Sequence, residues 1–166
     1  MNMNVYEYAM QMEKDGEKFY RELSAKCKIE GIKTILTMLA NEEVKHFKII
    51  DNLQKKAGKL HLSETKFLDD VKNVFTRMKE EKTDLFFDAS ELAAYRKAMA
   101  IEEKSRKFYS DKASEAGEEE TKHILLRLAG EEEKHFRIMK NIAEFVARPE
   151  PGNWLENAEW HHLDEY

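Results

Sequence analysis

The nine residues LANEEVKHF at positions 39–47 recur as LAGEEEKHF at positions 128–136, and this repeat decides the fold. With the same offset of 89 positions, residues 9–52 align with residues 98–141 without a gap, and 19 of the 44 aligned positions are identical. Self-similarity at a fixed offset indicates two copies of one supersecondary unit. We therefore interpret the chain as two copies of a helical hairpin joined by a connector.

The composition around the repeat favours an all-α fold. Both prolines lie near the C-terminus, at Pro149 and Pro151, so 148 residues pass without one. Ala, Leu, Glu, Lys and Met, which are strong helix formers, dominate the chain, and no strand-like alternation of apolar and polar residues is present. The pattern predicts four long helices, at about 4–28, 31–57, 88–117 (starting at Asp88 or Ser90) and 118–147.

The connector, residues 59–87, carries apolar residues at helical spacing, which predicts a short crossover helix. These residues are Phe67, Val71, Val74, Phe75 and Met78. Two hairpins with one long crossover form a four-helix bundle, expected over residues 1–148. The tail, residues 149–166, holds both tryptophans, and we expect it to pack on the bundle or on a neighbouring subunit.

Charge and cysteine content exclude several classes of protein. The 166-residue chain has 28 Lys and Arg against 33 Asp and Glu, a net charge of −5, so it lacks the basic surface expected of a nucleic-acid-binding protein. A single cysteine, Cys27, cannot form a disulfide framework or a cysteine-cluster metal site. We find no apolar run of membrane-spanning length and no signal pattern, so no membrane association and a cytoplasmic location are expected.

The apolar face of every predicted long helix is interrupted by a glutamate. The four carboxylates are Glu13, Glu43, Glu102 and Glu132, and the second and fourth helices add His46 and His135. Removing an ionised carboxylate from water costs several kcal/mol, so a bundle interior holds such groups only if they are protonated or bound to cations. Two divalent metal ions would neutralise four carboxylates and leave both imidazoles neutral, as metal ligands must be.

The Glu-x-x-His spacing supports the metal interpretation, because positions i and i+3 lie on one face of a helix. Oxygen-rich ligation with one histidine per ion favours iron or manganese over a thiolate zinc site. Glu43 and Glu132 are candidates to bridge the ions, with Glu13 and Glu102 as terminal ligands. Glu42 and Glu131 repeat beside the ligands, and we expect them next to the site or at the surface. The predicted metal ligands are Glu13, Glu43, His46, Glu102, Glu132 and His135.

Over about residues 4–147 the chain resembles the rubrerythrin group of ferritin-like di-iron proteins. The resemblance rests on both Glu-x-x-His motifs and on Tyr20 and Tyr109, each seven residues after the glutamate of the preceding helix. It implies a ferritin-like four-helix bundle with two irons that reduces hydrogen peroxide or oxygen. It also implies that the two tyrosines hydrogen-bond the ligand carboxylates. No haem is expected, since Val44 stands where a bacterioferritin-type methionine would be expected.

The chain departs from the rubrerythrin pattern in two ways. Rubrerythrins carry an additional carboxylate three residues after the third-helix ligand, where this chain has Ser105, and its repeat partner is Gly16. Two such small residues indicate either room for water, peroxide or a larger substrate, or close helix packing. One cysteine cannot form the four-cysteine rubredoxin iron site, so an external electron donor, a rubredoxin or a flavoprotein, is implied. We expect a homodimer, with exchange of hairpins between subunits as an alternative geometry.

Other functions fit the same ligands. An iron-binding ferroxidase or storage protein would need a cage of many subunits, so the oligomer size separates it from a peroxidase or oxidase. A di-manganese or oxygenase-like centre is distinguished by its metal content and a substrate screen. A structural metal site would be closed to peroxide.

Overall fold

The computed structural model describes residues 4–55 and 89–147, with five single residues of the connector between them. Within these ranges the chain forms four long α-helices and no strand, which confirms the all-α prediction. None of the helices in the described ranges combines the length and the apolar character needed to cross a membrane. The chain divides into two compact units, Met1–Phe67 and Leu68–Tyr166, and each contains one of the repeated hairpins.

The first unit pairs α1, Val5–Lys26, with α2, Glu30–Lys55. Helix α1 begins with a capping box that the repeat did not indicate. The Asn4 side chain accepts a hydrogen bond from the Glu7 backbone N–H at 2.9 Å, and Glu7 accepts one from the Asn4 backbone N–H at 3.1 Å. This exchange satisfies two N–H groups at the start of the helix, where no carbonyl of a preceding turn is present.

A short turn, residues 27–29, closes the first hairpin. The backbone N–H of Cys27 donates to the Leu23 carbonyl at 3.0 Å, and the hydroxyls of Ser24 and Thr37 lie 2.9 Å apart between the two helices. The interior of the hairpin is filled mainly from α2, whose fully buried side chains include Ile32, Ile35, Leu36 and Leu39. Burial of each such side chain contributes about 1.5–3 kcal/mol to folding.

The second unit pairs α3, Ala89–Glu115, with α4, Glu119–Ala147, in the same way. Its buried apolar side chains again come mostly from the later helix and include Leu128, Ile138, Met139 and Ile142. The predicted bounds of the four helices agree with these ranges to within about two residues wherever the structure describes the ends. The predicted end of the second helix at residue 57 and the predicted start of the third at Asp88 lie outside the described residues.

The described residues of the connector are all helical, as the predicted crossover helix requires. They are Phe67, Val71, Asn73, Arg77 and Glu80, of which the two apolar residues are buried. The predicted helix positions Val74, Phe75 and Met78 lie outside the described residues, as does the whole tail, 149–166. The division into a 1–148 bundle and a tail that packs on the bundle or on a neighbouring subunit stays a prediction.

Candidate metal centre

The first hairpin brings Glu13 from α1 together with Glu43 and His46 from α2. All three side chains are no more than 4% exposed. Nδ1 of His46 lies 3.5 Å from Oε2 of Glu13. Glu43 and His46 each offer a ligand atom, and these two atoms lie within 4.8 Å of one another. We call Glu13, Glu43 and His46 the first triad.

The second hairpin repeats this arrangement with Glu102 from α3 and with Glu132 and His135 from α4, which we call the second triad. Its three side chains are also buried. Nδ1 of His135 lies 3.4 Å from Oε2 of Glu132 and 3.7 Å from Oε1 of Glu102. The second triad therefore gathers two carboxylates around one imidazole nitrogen.

The helical period explains why these side chains meet. Each histidine follows its glutamate by three residues, so the two groups project from the same face of one helix. That face continues into the apolar interior on either side of the second triad, where Leu128 and Met139 are fully buried. The glutamate of the partner helix within the hairpin then faces this pair across the helix–helix contact.

Burial has a direct electrostatic consequence at Glu102. Loss of solvent and, less strongly, the nearby Glu132 carboxylate together raise the pKa of this carboxyl to about 8, although His135 opposes the shift. A carboxyl with this pKa is mostly protonated at neutral pH in the metal-free protein. Binding of a divalent cation is the other way to offset the mutual repulsion of two neighbouring buried carboxylates.

The donor atoms of each triad fit a metal ion. At 3.4–3.7 Å the imidazole nitrogen and carboxylate oxygens are too far apart for good hydrogen bonds. Two ligand atoms that bind the same ion at about 2.1 Å, with an angle of about 90–120° at the ion, lie about 3.0–3.6 Å apart. A neutral imidazole whose Nδ1 carries no proton would be repelled by the carboxylate oxygens that it faces, and a cation bound between them removes this repulsion. Two carboxylates and a neutral imidazole carry a formal charge of −2, which one divalent ion neutralises.

Comparison with known proteins agrees with this arrangement. The family model described as Rubrerythrin matches residues 4–143, which include both triads. The chain belongs to the rubrerythrin family. No curated protein and no solved structure matches the chain.

Membership of the rubrerythrin family confirms the predicted ferritin-like four-helix bundle as the fold class. A buried set of glutamates and histidines able to bind metal is also present, as predicted. The individual ligand roles, the bridging positions of Glu43 and Glu132, and the identity of the metal stay predictions.

The two tyrosines of the rubrerythrin pattern lie in the interior. Tyr20 in α1 and Tyr109 in α3 are both fully buried. The ring of Tyr109 meets that of Phe108 edge to face, with centroids 5.6 Å apart and an interplanar angle of 72°. Their predicted hydrogen bonds to ligand carboxylates stay a prediction.

Two further residues, Glu42 and Gly16, lie beside the triads. Glu42 is buried, its carboxylate lies 2.5 Å from the Lys45 ammonium, and its ligand atom lies within 4.8 Å of that of His46. At Gly16, a Cβ would lie 3.0 Å from Oε2 of Glu43, so this carboxylate occupies the space that a side chain would take. Of the two interpretations of this small residue, the structure favours close packing over open room. Ser105, its repeat partner, is half-buried.

Proposed function

We propose that this rubrerythrin-family protein binds two redox-active metal ions, iron with manganese as the alternative, and reduces hydrogen peroxide or oxygen with electrons from an external donor. One observation carries the proposal. Each hairpin buries two glutamates and a histidine, and in each the histidine Nδ1 lies within 3.4–3.7 Å of a carboxylate oxygen. Such a donor set is rich in oxygen and keeps one imidazole per ion, which suits iron and manganese.

The residues of the two triads have separate tasks in this proposal. Glu13 and Glu102 would serve as terminal ligands, and Glu43 and Glu132 would serve as bridging ligands. The imidazoles of the triads stay neutral and bind through Nδ1, the nitrogen that faces the carboxylates. When bound, two ferrous ions supply the two electrons that peroxide reduction needs and polarise its oxygen–oxygen bond. The overall reaction is H₂O₂ + 2 e⁻ + 2 H⁺ → 2 H₂O.

Metal binding by the second triad is coupled to the loss of a proton from Glu102. Its pKa of about 8 means that the carboxyl of the metal-free protein holds a proton at neutral pH. A carboxyl must lose that proton to bind a cation, so loading of the second triad releases it. Burial of the triads keeps bulk water away from the carboxylates, which strengthens their interaction with a cation.

The proposal assigns Tyr20 and Tyr109 to the support of the ligands. A buried tyrosine hydroxyl normally needs a hydrogen-bond partner, and a ligand carboxylate is a suitable acceptor. Hydrogen bonds of this kind orient metal ligands and tune their basicity. Both tyrosines are fully buried on the helices that carry the terminal ligands, which supports this role.

The proposal includes an external electron donor, a rubredoxin or a flavoprotein, because the chain has one cysteine and cannot form a four-cysteine iron site itself. It also includes assembly as a homodimer. The dimer is tested by the molar mass in solution, and an assembly of many subunits would favour iron storage instead.

The activity is tested by adding hydrogen peroxide to anaerobic protein loaded with ferrous iron. We expect one equivalent of peroxide to oxidise two irons per chain, with ferric absorption bands and no trapped hydroxyl radical. A reduced rubredoxin or flavoprotein is then expected to restore the ferrous state. Ferrous ions that peroxide does not oxidise would contradict the proposal and favour a structural site. A chain that prefers manganese would favour the alternative centre.

A further inference from the structure

We propose that Gly16 is a positioning residue for the Glu43 carboxylate and that a side chain at this position weakens metal binding by the first triad. The inference rests on the proposed function, because Glu43 matters here as a metal ligand. Gly16 itself offers no ligand atom, so it acts only through the space that it leaves for Glu43.

The contact is close and specific. A Cβ at Gly16 would lie 3.0 Å from Oε2 of Glu43, 3.4 Å from its Cδ and 3.5 Å from its Cγ. A 3.0 Å contact would force the carboxylate to move by a few tenths of an ångström. Both residues are buried, so the carboxylate has little free volume into which it can move. A displaced Glu43 would hold its oxygen away from the donor atom of His46, with which it shares the triad.

The helix itself gains nothing from a glycine here. Glycine within a helix is less stable than alanine, so its presence in the middle of α1 calls for a local reason. Gly130 in α4 provides a matched comparison, because a Cβ there would meet no described atom within 4 Å. Both glycines lie close in sequence to a proposed ligand, because Gly130 precedes Glu132 by two residues and Gly16 follows Glu13 by three.

The second hairpin carries a side chain at the corresponding position. Ser105 stands where Gly16 stands in the first hairpin, and Oε2 of Glu132 lies 3.4 Å from Nδ1 of His135 on its own helix. In the first hairpin, Oε2 of Glu43 lies against the Gly16 backbone. The residue three positions after the proposed terminal ligand therefore differs between the hairpins, with glycine in the first and serine in the second.

The contact is tested on the metal-free protein with a double-mutant cycle. Gly130→Ala is expected to raise the Tm by about 1–4 °C, the gain from replacing a helical glycine. Gly16→Ala is expected to give no such rise, because the new Cβ meets Glu43. In a Glu43→Ala background that obstacle is absent, and Gly16→Ala is then expected to raise the Tm as Gly130→Ala does.

Metal binding is tested by anaerobic equilibrium dialysis of the full chain against ferrous iron. We expect Gly16→Ala to weaken the binding of at least one of the two irons by about 10–100-fold, the usual effect of disturbing a residue that orients a ligand. Gly130→Ala is expected to stay within about two-fold of the wild-type affinity, as a change that contacts no ligand should. A purely structural role for Gly16 would change the Tm and leave both iron affinities unaltered.

Each result either supports or overturns the inference. If Gly16→Ala raises the Tm as Gly130→Ala does and both irons bind as in the wild type, Gly16 does not position Glu43. If the Tm cycle shows the contact but iron affinity is unchanged, the contact is real and has no bearing on the ligand. The wild-type titration separates these failures from failure of the proposed function, since a wild type that binds no iron overturns both.

Discussion

Nδ1 of His46 on α2 lies 3.5 Å from Oε2 of Glu13 on α1, although neither group belongs in an apolar interior without a partner of opposite charge. The second hairpin places the same kinds of atom 3.7 Å apart at the equivalent positions. A single buried Glu–His contact is common as a structural feature. The repetition of this contact in both hairpins, each with a second buried glutamate, is what a pair of metal-binding triads requires.

Removal of Glu43 or Glu132, the proposed bridging ligands, should reduce the number of irons that the chain binds. We expect Glu132→Ala to lose at least one of two irons per chain, because the change removes a buried carboxylate 3.4 Å from the His135 nitrogen. Glu43→Ala is expected to do the same from the first hairpin. The measurement is the metal content of the anaerobically loaded protein after gel filtration.

The adjacent Glu133 provides the control for this prediction. Its carboxylate lies partly exposed, 3.1 Å from Arg137 and 3.3 Å from Arg106, so Glu133→Ala should keep two irons. Two irons retained by either Glu132→Ala or Glu43→Ala would overturn the ligand set.

The stability of the metal-free protein should fall as the pH rises from about 4.5 to about 8. The folded state favours the protonated Glu102 carboxyl, since the pKa of this group is about 8 in the folded protein and 4.5 for a glutamate exposed to water, as in the unfolded chain. Its contribution is fully present below pH 4.5 and is lost as the pH rises through 8, at up to about 1.4 kcal/mol per pH unit. Urea unfolding at several pH values measures this slope.

Glu102→Gln is the matched variant, because glutamine has the size of the protonated carboxyl and does not titrate. We expect its free energy of unfolding to depend less on pH between 4.5 and 8 than that of the wild type. Parallel pH profiles for the two proteins would show that Glu102 does not carry the raised pKa.

Loss of the Tyr109 hydroxyl should change iron binding and iron oxidation more than it changes the stability of the fold. Tyr109→Phe keeps the aromatic ring and its edge-to-face contact with Phe108 and removes only the oxygen. If the hydroxyl supports a ligand carboxylate, iron affinity or the rate of iron oxidation should fall by about 10–100-fold. Tyr8→Phe, at an exposed tyrosine, is the control and should leave both unchanged. A Tyr109→Phe protein with wild-type iron chemistry would assign this tyrosine to packing alone.

The capping box of α1 should contribute measurably to stability. Asn4→Ala removes the acceptor for the Glu7 N–H, so we expect the free energy of unfolding to fall by about 0.5–2 kcal/mol. Asn4→Ser, which keeps a capping oxygen, should retain most of it. A stability loss of equal size in both variants would mean that the cap is not the cause.

The repeat made most of the helical framework predictable. An offset of 89 that keeps apolar residues and both Glu-x-x-His motifs in register determines which helix faces are buried, and the structure buries both triads there. The capping box could also have been predicted from the sequence, since an asparagine followed three residues later by a glutamate is a known helix-start signal. The position of a residue on a helix follows from spacing alone.

Side-chain details could not be predicted in the same way, because they depend on packing between helices. The repeat treats Gly16 and Ser105 as equivalent small residues, whereas Gly16 lies against the Glu43 carboxylate. Glu42 and Glu131 are likewise identical in the repeat, yet Glu42 is buried and Glu131 is only half-buried. Such differences arise from side-chain rotamers and neighbours, which a one-dimensional pattern does not contain.

The most direct test of the central claim is a count of the ferrous ions that the metal-free wild-type chain binds under anaerobic conditions. We expect two ions per chain, bound with release of protons at neutral pH because Glu102 must deprotonate. A chain that binds no iron, or a single ion with no proton release, would contradict the assignment of the two triads as a dinuclear metal centre.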